Sequence, residues 1–158
     1  MSYDFNADEI FEMAEQLERN GAEFYRQAAA GDLDPAHKEF LLKLAAMEDE
    51  HEKTFKAMRA ELKPQERQPT VFDPSGEAVL YLRALADTRV FFEKQLDVSS
   101  LRAILKSAIE AEKDSILFYL GMKEAVPASL GKARLDHIIK EEMGHIRMLS
   151  KALTASKH

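Results

Sequence analysis

The stretches AAMEDEHEKTF (45–55) and IKEEMGHIRML (139–149) each contain a glutamate that is followed three positions later by a histidine. The two pairs are Glu48 with His51 and Glu142 with His145. Both members of the pair recur at one spacing of 94 residues (142 − 48 = 145 − 51 = 94). Residues three apart share one face of an α-helix, so each stretch predicts a helix that presents an acid and an imidazole side by side.

The repeat extends to two further glutamates, because ERNGAEFY (18–25) and EKDSILFY (112–119) also lie 94 residues apart. Glu18 corresponds to Glu112, and Tyr25 corresponds to Tyr119. All four glutamates lie about 11 to 14 residues into their expected helices, within or beside the apolar stripe. An antiparallel bundle that buries those stripes therefore brings four carboxylates and two imidazoles together in its core.

Caps and apolar spacing predict four long helices. The first follows Asn6 and ends near Gly31, the second runs from Asp34 and Pro35 to Pro64, the third follows Ser99 or Ser100 and ends at about Ala125, and the fourth runs from about Ala128 to near Leu153. We expect one all-α domain over 1–158, a four-helix bundle of two duplicated helical hairpins joined by a long crossover connection. Hairpin one covers about 7–63, the crossover about 64–98 and hairpin two about 99–154.

The crossover contains the segment with the weakest pattern. Residues 77–96 look helical, but a short packed helix and a helix followed by an extended piece around Phe91 and Phe92 both remain open.

Composition excludes several classes of protein. The 158 residues are 46% hydrophobic and 32% charged, with a net charge of −6, so a soluble globular chain without a nucleic-acid surface is expected. No window approaches the apolar length of a membrane span, and the acidic N-terminus does not resemble a signal peptide, which favours the cytoplasm. Cysteine is absent, which excludes disulfides and thiolate metal sites, so any metal must be held by oxygen and nitrogen.

Four ionised glutamates in a core need compensating positive charge, because each would otherwise cost several kcal/mol or hold a proton. Two divalent cations balance four carboxylates and leave two neutral imidazoles as further ligands. In the Glu-x-x-His pair, one residue can bridge the two metals while the other binds one of them. We therefore expect a dinuclear metal site formed by six residues: Glu18, Glu48, His51, Glu112, Glu142 and His145.

By these residues, and by the FY dipeptide whose tyrosine lies seven positions after each lone glutamate, the chain resembles a rubrerythrin-type member of the ferritin-like di-iron carboxylate superfamily, without a rubredoxin domain. The resemblance implies a ferritin-like bundle with two iron ions, for which manganese or zinc are the alternatives. It implies that Glu48 and Glu142 bridge, that Glu18 and His51 complete one metal, and that Glu112 and His145 complete the other. Tyr25 and Tyr119 would lie just outside these ligands.

Departures from the family pattern refine this expectation. No rubredoxin-like cysteines are present, so a separate electron-donor protein is expected. Ser115 stands where rubrerythrins carry an additional glutamate ligand. Asp49 stands where bacterioferritins carry a haem-binding methionine, so no haem is expected.

Three functions and one non-metal alternative remain open from the sequence. The first is a di-iron oxidoreductase that reduces peroxide or dioxygen, with no catalytic residues beyond the metal ligands. The others are an iron-binding ferroxidase of the storage type, a di-iron hydroxylase of an organic substrate with an apolar cavity beside the site, and an interaction bundle without metal. A homo-oligomer such as a dimer is expected, without nucleic-acid or membrane partners.

Other acidic residues and histidines near the repeat are interpreted as surface groups. Asp49, Glu50, Glu52 and Glu141 are expected to face solvent, and His137 is expected to be a surface histidine.

Overall fold

The computed structural model describes residues 6–67, 80–82, 84, 98–130 and 132–156, and these residues confirm the all-α prediction. The four long helices are α1 (Ala7–Ala29), α2 (Pro35–Ala60), α3 (Leu101–Ala125) and α4 (Lys132–Ala155). Short 3₁₀ turns cover Pro64–Arg67 and Ala128–Leu130. None of the helices in this part of the chain is long and apolar enough to cross a membrane.

Side-chain caps determine where three of the helices begin. Asn6, Asp34 and Ser100 each accept a hydrogen bond from the backbone N–H three residues later. Such a bond satisfies one of the donors that the first turn of a helix leaves free. Ser100, rather than Ser99, is therefore the cap of α3. The prediction that the fourth helix begins near Ala128 is wrong, because Ala128–Leu130 forms a 3₁₀ turn before α4.

The helices pack as two antiparallel hairpins, α1 with α2 and α3 with α4. Arg59 near the end of α2 pairs with Asp8 in the first turn of α1, at 2.8 Å between Nε and Oδ1. In the second hairpin, Lys123 Nζ lies 2.5 Å from Asp136 Oδ1. Backbone contacts between hairpins are sparser than those within them, so side chains in the bundle interior account for much of their association.

Two apolar clusters fill the bundle, one toward each end. One contains Phe11, Phe55 and Phe118, and the other contains Leu41 and Leu105. The residues of the two clusters come from opposite ends of the helices. The middle turns, which contain the repeated glutamates, therefore lie between the two clusters. Burial of the apolar side chains stabilises the helices and positions a polar layer at the centre of the bundle.

Most of the segment 77–96, including Phe91 and Phe92, lies outside the described residues. Residues 80–82 and 84 are helical. Leu82 is fully buried in the same cluster as Phe118, and the Tyr81 hydroxyl donates to the backbone oxygen of Leu117 at 3.1 Å. This part of the crossover therefore packs on α3.

Gly121 permits that close approach, and its replacement should destabilise the fold. A Cβ at Gly121 would lie 2.5 Å from Tyr81 Cδ1 and 3.1 Å from a methyl of Leu82. We expect Gly121→Ala to lower the free energy of unfolding by about 1 to 2 kcal/mol, because the Tyr81 ring must leave its site. Urea denaturation measures this effect.

Gly144→Ala is the matched control, since Gly144 is also helical and a Cβ there would meet nothing closer than Arg147 Nη2 at 3.9 Å. Its expected effect is neutral or stabilising, by up to about 1 kcal/mol. Equal effects of the two replacements would contradict the role assigned to Gly121.

Candidate metal centre

The structure brings all six predicted ligands together in the interior of the bundle. Their exposed fractions are 4% or less: Glu18 2%, Glu48 4%, His51 4%, Glu112 4%, Glu142 0% and His145 1%. They form two overlapping groups of potential metal ligands, in each of which the ligand atoms lie within 4.8 Å of one another. The first group contains Glu18, Glu48, His51 and Glu142, and the second contains Glu48, Glu112, Glu142 and His145. Glu48 and Glu142 are thus common to both groups.

Nδ1 of each histidine points toward the carboxylates. Nδ1 of His51 lies 2.8 Å from Glu142 Oε1, 3.5 Å from Glu18 Oε2 and 3.6 Å from Glu48 Oε2. The distances around Nδ1 of His145 are 3.3 Å to Glu48, 3.4 Å to Glu112 and 3.5 Å to Glu142. The two imidazole rings stack with their centroids 5.9 Å apart. Each Nδ1 therefore has three carboxylates as neighbours.

The donor atoms of this cluster fit a pair of divalent cations. Among the described residues, the buried charged groups include no lysine or arginine, so no fixed cation inside the bundle balances the four carboxylates. Three buried atoms of the cluster, Glu18 Oε2, Glu142 Oε2 and His145 Nδ1, have no hydrogen-bond partner. A buried polar atom without a partner is costly unless something else binds it. Oxygen and imidazole nitrogen atoms are ligands for iron, manganese and zinc.

Protons would have to replace those cations in the metal-free protein. Burial, followed by the charge of Glu18, raises the pKa of Glu48 to about 7. Burial and the charge of Glu142 also raise the pKa of Glu18. Burial lowers the pKa of both histidines, but the surrounding carboxylates outweigh this effect, so the pKa of His145 rises to about 9 and the pKa of His51 is also raised. The cluster therefore retains protons, in the absence of metal, at pH values where an ordinary carboxylate or imidazole would release them.

Tyr25 and Tyr119 contact the glutamates of the opposite hairpin. The Tyr25 hydroxyl donates to Glu112 Oε1 at 2.6 Å, and the Tyr119 hydroxyl donates to Glu18 Oε1 at 2.5 Å. Burial and the neighbouring carboxylates raise the pKa of both phenols well above the usual value, so both remain protonated donors. The two bonds fix the orientation of one carboxylate in each hairpin.

Removal of one of these hydroxyls should destabilise the protein. Tyr119→Phe leaves Glu18 Oε1 buried without its donor, which we expect to cost about 1 to 3 kcal/mol of unfolding free energy. Tyr81→Phe is the control, because its bond to the Leu117 backbone is exposed, and its effect should stay within about 0.5 kcal/mol. Chemical denaturation of the metal-free protein compares them, and equal losses would argue against the hydrogen bond to Glu18 as the cause.

Glu141 was predicted to face solvent, and the structure shows otherwise. Its side chain is 29% exposed, with Oε2 3.4 Å from His51 Nε2 and Oε1 2.5 Å from Nε2 of the exposed His137. The corresponding nitrogen of His145 lies 3.3 Å from Met47 Sδ. The repeat could have predicted that both residues lie behind the histidines, since Met47 and Glu141 are also 94 residues apart. Met47 directly precedes Glu48, and Glu141 directly precedes Glu142.

A cavity of about 590 Å³ lies between α2 and α4 beside this site. Ala46, Met47 and Ile138 contribute apolar surface to it, and His51 and Glu141 contribute polar atoms. The cavity therefore borders the side of His51 that carries Nε2.

Comparison with known proteins supports the same architecture. No protein-family model matches the chain, and no curated protein matches it. A solved structure from Thermotoga maritima, of a protein provisionally described as a ferritin-like diiron-carboxylate protein, is similar, with a TM-score of 0.73 and 24% sequence identity. The match covers 99% of this chain and 100% of that one. At this identity the likeness bears on the fold alone, and it agrees with the four long helices described above: the chain adopts the ferritin-like helical bundle fold.

Proposed function

We propose that the six-residue cluster binds two iron ions and that the chain is a rubrerythrin-like di-iron oxidoreductase that reduces peroxide or dioxygen. The observation that carries the proposal is the cluster of four buried carboxylates around two imidazoles, in which three potential ligand atoms have no hydrogen-bond partner. Ion pairs with lysine or arginine do not account for this arrangement, because among the described residues neither type lies buried with it.

The overlap of the two ligand groups favours two metals rather than one. Each group offers three carboxylates and one imidazole, and Glu48 and Glu142 belong to both. These two residues would bridge the metals, as the resemblance implies. Glu18 and His51 would complete one metal, and Glu112 and His145 would complete the other.

Two ferrous ions would supply one electron each to the reduction of an oxygen–oxygen bond. The chain contributes the fixed positions of the ligands and two apolar clusters that limit access of bulk water. Tyr25 and Tyr119 hold the two lone glutamates through their protonated hydroxyls. The chain has no cysteine with which to hold a rubredoxin-like centre, so we propose a separate electron-donor protein.

Anaerobic reconstitution with Fe(II) tests the proposal. We expect about two iron ions per chain, followed by oxidation of the iron when peroxide or dioxygen is added, with the faster reaction identifying the oxidant. Glu15→Gln is the matched control: Glu15 is buried one turn before Glu18 but pairs with Arg59 at 3.3 Å, and its loss should leave the iron content unchanged. Failure to bind iron, or inertness toward both oxidants, would overturn the redox proposal.

A second candidate, a di-iron hydroxylase of an organic substrate, is favoured by the cavity between α2 and α4. Its volume lies within the range of small-molecule sites, and its lining is largely apolar. This candidate predicts that an apolar compound stimulates oxygen uptake by the iron-loaded protein. It also predicts that Ala46→Phe, which narrows the cavity, removes the stimulation while iron content and the unstimulated rate persist.

A further inference from the structure

The outer nitrogens of the two histidines have chemically different partners. Nε2 of His51 lies 3.4 Å from a carboxylate oxygen of Glu141, whereas Nε2 of His145 lies 3.3 Å from the thioether sulfur of Met47. A carboxylate is a charged acceptor, and a thioether is a weak neutral one. The ligands of the cluster repeat along the chain, but the groups behind the histidines do not.

Met47 and Glu141 nevertheless occupy one position of the repeat. They are 94 residues apart, each comes directly before a shared glutamate, and each contacts the histidine of the opposite hairpin. The fold therefore places the two side chains equivalently, and only their chemistry differs. The two ligand groups contain the same types of ligand, so a difference in metal affinity between them can arise from Met47 and Glu141 alone.

We propose that Glu141 is a positioning residue that makes the two metal positions unequal, so that the position served by His51 binds a divalent cation more tightly than the one served by His145. The inference rests on the proposed dinuclear site. When Nδ1 of a histidine faces a metal, Nε2 carries the proton, and this N–H group donates a hydrogen bond to the side chain behind the ring. A negatively charged acceptor restrains the ring and strengthens the imidazole as a ligand more than a thioether does.

The surroundings of Glu141 support this role. Its second oxygen is held by His137 at 2.5 Å, so both carboxylate oxygens have defined partners and one is directed at His51. The interaction with His51 is at the long end for a hydrogen bond, which implies a moderate effect. Loss of an outer partner of a metal-bound histidine typically costs about 10- to 100-fold in metal affinity, and we expect the lower end of that range.

Calorimetric titration of the metal-free full chain with Co(II) tests the inference. We expect the native protein to bind two ions in unequal steps and Glu141→Gln to weaken the tighter step by about 10-fold, leaving the other within a factor of two to three. Met47→Glu should tighten the weaker step. Glu50→Gln is the matched control, because Glu50 lines the same cavity but pairs with Lys53 at 2.8 Å, and it should change neither step.

Proton magnetic resonance of the Co(II)-loaded protein gives a readout that a merely structural role would not change. The two ligand histidines should give two shifted, exchangeable N–H signals. Glu141→Ala should accelerate solvent exchange of one of them and leave the other unaffected. Equal binding steps in the native protein, or equal effects of Glu141→Gln and Glu50→Gln, would overturn the inference while leaving the dinuclear site intact. Absence of any Co(II) binding would overturn the proposed site itself.

Discussion

Replacement of Glu142 by glutamine is expected to abolish binding of both metals, with an affinity loss of at least ~100-fold, beyond what loss of an outer partner alone causes. The reason is that Glu142 belongs to both ligand groups and has no exposed surface. Bulk water therefore cannot take the place of the lost carboxylate as a ligand. Glu48→Gln should behave in the same way. Glu18→Gln and Glu112→Gln should each weaken mainly one position, because each residue belongs to one group.

Metal analysis after equilibrium dialysis against Mn(II) or Fe(II) distinguishes these outcomes. The expected metal content falls from about two per chain to about zero for the shared glutamates, and to about one for the unshared ones. The conservative Glu→Gln changes preserve side-chain volume, and thermal unfolding of the metal-free variants verifies that they fold. If all four Glu→Gln variants lost the same amount of metal, the assignment of Glu48 and Glu142 to both ligand groups would be contradicted.

The stability of the metal-free protein is expected to fall as the pH rises from 4.5 to 9. The folded pKa values of Glu48, about 7, and His145, about 9, exceed the ordinary values of 4.5 and 6.5, so the folded state retains protons that the unfolded chain releases. The contribution of Glu48 is complete below pH 4.5 and is lost as the pH rises through about 7, and that of His145 is complete below pH 6.5 and is lost through about 9. Each loss is on the order of 3 kcal/mol.

Metal should reverse this trend, because ligand binding requires the deprotonated groups and releases their protons. The gain in melting temperature on addition of Mn(II) should therefore increase from about pH 5 to about pH 8. Glu48→Gln should remove the part of the metal-free pH dependence that falls between 4.5 and 7. Stability of the metal-free native protein that increases over this range would contradict protons as the substitutes for metal.

The chain's internal repeat made much of the site predictable. A shared spacing of 94 residues aligned Glu18 with Glu112 and the two Glu-x-x-His pairs with each other, and helical periodicity then placed all six residues at mid-helix. Local capping chemistry likewise predicted where α1 and α2 begin, through Asn6 and Asp34. The caps and the helical periodicity are short-range sequence patterns, so these predictions did not require the tilt of the helices to be known.

The errors arose where tertiary geometry decides. Glu141 lies one position before a ligand, about 100° around the helix from Glu142, and only the separation of α2 and α4 determines whether it meets His51 or water. The start of α4 depends on the 3₁₀ turn Ala128–Leu130, which a helical apolar pattern does not exclude. The reaction at the proposed metal site depends on access to that site, and access is set by side chains from different helices.

The reciprocal bonds of Tyr25 and Tyr119 interlock the two halves of the molecule. Each tyrosine donates a hydrogen bond to a carboxylate of the other hairpin. Each ligand group contains three residues from one hairpin and one from the other. A chain cut within the crossover would therefore yield two peptides, neither of which holds a complete set of ligands for even one ion. Metal retention would reappear only when the two peptides are mixed, so the ability to hold metal reports directly on their reassembly.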